Sequence, residues 1–176
     1  MALPAWGVHG EVYRPGEWLE ALVLTESSGR PDVRRYEPHL DRKPNDPDTP
    51  GTDDGPNEDS ASWGPMQVLG VNVRKILGAS PGCLLNYTAL YWWPLGLAFG
   101  LKILLGELQA TERNVARSLA RYNGGPTGDR LESDGRMRRQ VYVDSVEAKA
   151  VLVREDRAAR QWRYFGADIP GWEQVG

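Results

Sequence analysis

Apolar residues recur at helical spacing in several stretches of this chain, and the first such stretch carries an acid. Residues 18 to 31 read W-L-E-A-L-V-L-T-E-S-S-G-R-P. On a helix, positions three, four, seven and eight apart share a face, so Trp18, Leu19, Leu22 and Val23 form one stripe, and Glu26 falls on it. The helix that buries those side chains therefore points a carboxyl inward. Burial and the partial negative charge of a helix C-terminus both disfavour the ionised form and push its pKa upward, towards a value useful to a general acid. Gly29 and Pro31 end the helix, the first as a left-handed cap and the second because it cannot extend the ladder. The plain alternative is a half-exposed Glu at the edge of an ordinary amphipathic stripe, so the case for chemistry depends on the rest of the chain.

Residues 1 to 14 read as irregular, with Pro4 and Gly7 breaking any period, Pro15 and Gly16 introduce the first helix, and residues 32 to 40 read as a short irregular segment. From 41 to 61 the composition shifts to Pro, Gly, Asp and Asn, which predicts a long acidic surface loop after the first helix. Ser62 and Pro65 suit the start of a second helix, with Met66, Leu69, Val73, Ile76 and Leu77 as its stripe and Gly78 as its stop. After the aromatic run Tyr91, Trp92 and Trp93, Pro94 opens the most apolar helix. Its Leu97, Ala98, Leu101, Leu104, Leu105 and Leu108 cover more than one face, which predicts a central core helix. Thr111 is placed to cap a fourth helix through Val115, Ala116, Leu119 and Ala120 to Tyr122 and Asn123, stopped by Gly124, Gly125 and Pro126. On it, Arg113, Arg117 and Arg121 repeat every four residues as a solvent face. A last helix runs from about 136, with Met137, Val141, Tyr142, Val146, Ala150 and Leu152 inward, and extends as far as Trp162.

The pattern predicts a mainly α protein. At 176 residues it suits one domain over 1–176, with a core over about 17–163 and an irregular tail at 164–176. A net charge of −3 supplies no basic footprint for nucleic acid and no steering towards an anionic polymer, so any such ligand must be recognised by shape and hydrogen bonds. The most apolar stretch, 95 to 108, is too short to span a bilayer and contains Lys102 and Glu107, which argues against a membrane role. The N-terminus lacks a basic start followed by an apolar run, so no signal peptide is expected. Cys83, the single cysteine, precedes Leu84 and Leu85 and reads as a small core residue; His9 and His39 are the only histidines. Asp46, Asp48 and Gly51 fit part of a calcium loop, but Pro50 and Asn57 occupy positions that such a loop needs for ligands, so no metal or other cofactor is expected.

Four pieces occur in order, each at the end of an expected element: E-S-S-G at 26 to 29, S-W-G-P-M-Q-V at 62 to 68, R-Y-N-G-G at 121 to 125 and Y-V-D-S-V at 142 to 146. Together they resemble the lysozyme-like soluble lytic transglycosylase family, in which a helix ends in Glu-Ser, a Ser-x-Gly-x-Met-Gln turn follows, then Ala-Tyr-Asn-x-Gly, then a Tyr on a late helix. The resemblance covers about residues 17 to 150. Gly29, Pro65 and Arg121 depart from it, and the segment between the Glu and the Met-Gln turn is longer than the family's.

The resemblance implies a lysozyme-like fold that cleaves the MurNAc–GlcNAc bond of peptidoglycan glycan strands. Glu26 would act first as acid and then as base, giving a 1,6-anhydro product without a second carboxylate. It implies that Ser27 and Ser62 line the cleft, that Met66 and Gln67 contact the glycan beside the cleavage point, that Tyr122 and Asn123 border the site, with Asn123 bonding the N-acetyl group, and that Tyr142 orients Glu26. Read singly, Met66 is as well explained as core, Gln67 as an exposed helical residue, Asn123 as a helix cap and Tyr142 as a core aromatic. The chain also looks like the cell-wall-degrading modules of bacteriophage particles, which implies other particle proteins as partners and a virion-associated location. Two alternatives stay open. One is a hydrolase on the same fold, with Asp59 or Glu37 positioning water; the other is a catalytically silent structural or glycan-binding component.

Overall fold

The computed structural model describes residues 3–37, 58–80 and 85–159. Among these the chain is mainly helical, with two small sheets. Helix α1, Pro15–Ser27, begins where expected: Pro15 sits in the first turn, where no backbone N–H is needed, and the Glu17 carboxylate reaches back to accept from the Arg14 N–H at 2.6 Å. Its left-handed cap is Ser28 (φ 55°), one residue before the glycine expected there, and the Ser28 N–H closes on the Leu24 carbonyl at 3.1 Å.

Trp18, Ala21 and Leu22 of α1 are wholly buried against α5, Gln140–Ala159, the helix it packs along. Helix α5 starts later than expected because residues 131 to 137 close a small turn, bridged between Leu131 and Met137. Its buried stripe is Val143, Val146, Ala150 and Val153. Val141 and Leu152, expected inward, each lie two positions from a stripe residue, about 200° round the helix, and face solvent. The far end of α5 is tied to the N-terminal hairpin: Arg154 bonds Glu11 at 2.7 Å and lies over the Tyr13 ring. The expected extension to Trp162, the tail at 164–176, the calcium-like positions, Cys83 and the expected surface loop up to residue 57 fall outside the described residues; the last part of that loop is not surface, since Asp59, Ser60 and Ala61 are buried.

Helix α2, Gly70–Leu77, precedes α3, Trp93–Ala110, and α4, Val115–Gly124, follows. Contrary to expectation, α3 is not the centre of the core. Only Gly96, Gly100, Leu104 and Leu108 are buried, while Leu97, Leu101 and Leu105 remain partly exposed, so the central position belongs to α1. Thr111 does not cap α4. It closes α3 with its hydroxyl 2.6 Å from that of Ser118, and Asn114 caps α4 by accepting from the Arg117 N–H at 3.0 Å. The expected arginine face dissolves likewise. Arg113 lies in the turn before the helix (φ 66°), and Arg117 and Arg121 pair with Asp129 and Glu107 at 2.8 and 2.5 Å.

The strands were the least legible elements. Strands β1 (Trp6–Val8) and β2 (Glu11–Tyr13) form a hairpin around His9 and Gly10, both at positive φ. Strands β3 (Arg34–Tyr36), β4 (Ala61–Trp63) and β5 (Val68–Leu69) form an antiparallel sheet in the order β3-β4-β5, pairing Arg35 with Ser62 and Ser62 with Leu69. The helix expected from 62 therefore begins only at Gly70, and a tight turn at Gly64 and Gln67, both left-handed, occupies the space between. The side chain of Met66 from this turn sinks against α3 at Gly100, where any Cβ would collide with it. That contact seats the small sheet on the helical body. No described helix is long and apolar enough to cross a membrane.

Candidate active site

The Glu26 side chain is only 5% exposed at the C-terminal end of α1. Burial pushes its carboxyl from an ordinary 4.5 up to about 7; a hydrogen bond from Tyr142 and the charge of Arg35 oppose the rise, and Glu37 adds to it. Tyr142, on the first turns of α5, donates its hydroxyl to Glu26 Oε1. With Oε1 accepting, a proton on the carboxyl is carried by Oε2, the oxygen that faces Arg35 at 3.8 Å. Tyr122 of α4 is close enough for the Glu26 charge to raise its own pKa, though burial is the larger cause, and it donates to the Met66 carbonyl at 2.7 Å. Burial and Glu26 likewise hold the Tyr142 hydroxyl well above the usual range. Three helices and the small sheet thus converge on one carboxyl.

The structure treats the other expected residues differently. Ser62 lies cross-strand from Arg35, so the two side chains share the sheet face turned towards Glu26. Gln67 is neither helical nor exposed. Its Nε2 donates to the Val33 and Gly64 carbonyls at 3.0 and 2.9 Å, which leaves Oε1 buried without a partner among the described residues. Flipping the amide would set that oxygen against two carbonyls, so the orientation is determined. Asn123 is exposed, within α4 rather than at its cap. Ser27 and Met66 stand behind the surface: the Ser27 hydroxyl back-bonds to the Val23 carbonyl at 3.1 Å, and Met66 is 0% exposed. As placed, the former is held by its own helix and the latter is packed against Gly100 of α3, and neither presents its side chain to a ligand.

Of the two candidate second acids, Asp59 belongs to a different structure. It lies in a 3₁₀ turn, Glu58–Ser60, buried and held by Arg74 at 2.8 and 3.2 Å and by the Tyr87 hydroxyl. It is a structural pair, unavailable to position water. Glu37 is near the candidate acid, because its Oε1 is 3.0 Å from Nε of the same Arg35. Sequence reasoning missed Arg35. The signal was present in R-R-Y-E, since alternation along a strand places Arg35 and Glu37 on one face, but a three-residue strand is too short for periodicity to reveal.

No protein-family model, curated protein or solved structure matches the chain. The functional reading therefore depends on the geometry around Glu26 and on the motif order.

Proposed function

We propose that this chain is a lysozyme-like domain that cleaves the MurNAc–GlcNAc β-1,4 bond of peptidoglycan as a lytic transglycosylase, delivered to the cell wall as part of a bacteriophage particle. The observation that carries the reading is Glu26: a buried carboxyl raised to about 7, gripped on one oxygen by Tyr142 and with Tyr122 beside it. At neutral pH a large fraction of such a group keeps the proton that glycosidic cleavage requires. In the proposed reaction Oε2 passes its proton to the leaving oxygen as the bond to C1 breaks, and the substrate's acetamido oxygen stabilises the cation at C1. The Glu26 carboxylate then removes the proton from the C6 hydroxyl, whose oxygen closes on C1 and leaves a 1,6-anhydro end. Asn123 is the exposed polar side chain proposed to meet the sugars, with Ser62 and Gln67, both buried, behind it.

A hydrolytic reading on the same site is favoured by one observation, the placement of Glu37 beside Glu26 through their common arginine. Incubating the protein and its Glu26→Gln variant with peptidoglycan and identifying the released muropeptides by mass separates the readings. Anhydro ends from the wild type, reduced by about a thousandfold or more in the variant, support transglycosylation. Reducing ends establish hydrolysis, and silence from both proteins across several wall types removes the enzymatic reading.

A further inference from the structure

Arg35 is held unequally by two carboxyls. Its Nε is 3.0 Å from Glu37, a full hydrogen-bonded ion pair, whereas its Nη2 stands 3.8 Å from Glu26 Oε2, at the outer limit of one. The asymmetry has a structural origin. Arg35 and Glu37 are two positions apart on one face of β3 and its continuation, and the Glu37 N–H is itself pinned to the Ser60 carbonyl at 3.0 Å. The anchor is thus part of the sheet, while Glu26 arrives from α1. The arginine side chain is 54% exposed and the Glu26 side chain 5%, so the guanidinium stands at the solvent edge of the acid.

The chemistry of Glu26 makes this placement consequential. A protonated Oε2 gives its hydrogen outward and keeps only a weak, uncharged acceptor lone pair, so the guanidinium gains little by closing on it while Glu26 holds its proton. Once the proton has left, the same oxygen becomes an anionic acceptor, and a shift of under about 1 Å brings Nη2 to ordinary charge-assisted distance. The groups facing Glu26 from its neighbours are Tyr142 of α5, Tyr122 of α4, and Arg35 and Glu37 of the sheet. The tyrosines are neutral and remain so, which leaves the Arg35–Glu37 pair as the charged element.

We propose that Glu37 is a positioning residue that anchors Arg35 just off Glu26, so that the guanidinium leaves the protonated acid alone and closes on the carboxylate only after the proton has been given up. The inference rests on Glu26 being the acid of the proposed reaction. It predicts opposite consequences for two substitutions. Without Glu37 the arginine is released to pair with Glu26 and favours its ionised form; without Arg35 the nearby positive charge that favours the ionised form is lost, while the Glu37 charge still opposes it.

The test is a direct titration of the Glu26 carboxyl by carbon-detected NMR on protein labelled at glutamate side chains, with the Glu26→Gln variant identifying the signal. Glu37→Gln is expected to lower the midpoint by about one pH unit and Arg35→Ala to raise it by a similar amount, with Arg35→Lys between Arg35→Ala and wild type, because one ammonium cannot be held by Glu37 and reach Glu26 at once. The alkaline limb of glycan cleavage should move with each midpoint, because the acid must be protonated to act. Midpoints that stay in place, or move the same way in both variants, overturn the proposal. Cleavage that depends on Glu26 while the midpoints stay put removes the anchoring role and leaves the reaction. Midpoints that move as expected in a protein that cleaves no glycan remove the reaction, and with it the role of the pair in catalysis.

Discussion

Glu26 and Asp59 are both acids with almost no side-chain exposure, 5% and 8%, yet the fold gives them opposite surroundings. Asp59 is matched by a guanidinium at 2.8 Å and a phenol, with Arg74 also donating to the Ser80 carbonyl at 2.7 Å. Every strong group in that cluster is spent on another. The bond to Asp59 holds Arg74 above its usual range, and burial followed by Asp59 does the same for Tyr87. Glu26 has two neutral tyrosines and one half-exposed arginine engaged elsewhere, so its proton stays within reach of neutral pH. Burial alone therefore identifies no catalytic acid. What separates the two is whether a full opposite charge is in bonding contact.

The largest way to break this contrast is to unpair the structural cluster. Asp59→Ala removes the carboxylate that pairs with a buried guanidinium and is expected to cost about 3–5 kcal/mol of stability, read from urea denaturation. If it proves as mild as Glu26→Gln, the two acids are not different in kind.

A second test uses the sign of the Glu26 shift. Its folded pKa, about 7, lies above the ordinary 4.5, so between these values the folded chain keeps a proton that the unfolded chain has lost. This contribution to stability is fully present below 4.5, falls as pH rises through the window, and is gone above 7. At about 1.4 kcal/mol per pH unit the whole effect is about 3 kcal/mol. Glu26→Gln removes it, so the variant should gain on the wild type as pH is raised from 5 to 8. Parallel pH curves for the two proteins would show that Glu26 is not desolvated.

The smallest effect sharpens the comparison. Tyr142→Phe deletes the tyrosine hydrogen bond to Glu26 Oε1 and is expected to cost about 1 kcal/mol, while raising the Glu26 midpoint because that bond favours the ionised form. A midpoint that falls would mean that Tyr142 is not the donor.

Legibility followed length. Helix α1 was readable to within a residue at its end because Pro15, a repeating stripe and Gly29 act locally and agree with one another. Residues 61 to 69 misled for the converse reason. Their apolar spacing fits a helix, but the left-handed turn at Gly64 and Gln67 and the pairing of β4 with both neighbours prevail, and β3 is separated from β4 by more than twenty positions in the chain. The breadth of apolar surface on α3 was equally misleading, because hydrophobic residues around a whole helix say what burial would favour and not what neighbours are present to supply it.

The sequence by itself determined the helical character, the inward face of Glu26 and the placement of Tyr122 and Tyr142 on helices, because helical period and chain breakers are properties of neighbouring residues. Only the tertiary structure decided which partners each acid received. Arg74 and Tyr87 meet Asp59 from fifteen and twenty-eight positions away, and Tyr142 meets Glu26 from 116. A carboxyl's proton affinity is set by such contacts across space. No local pattern in the chain encodes them.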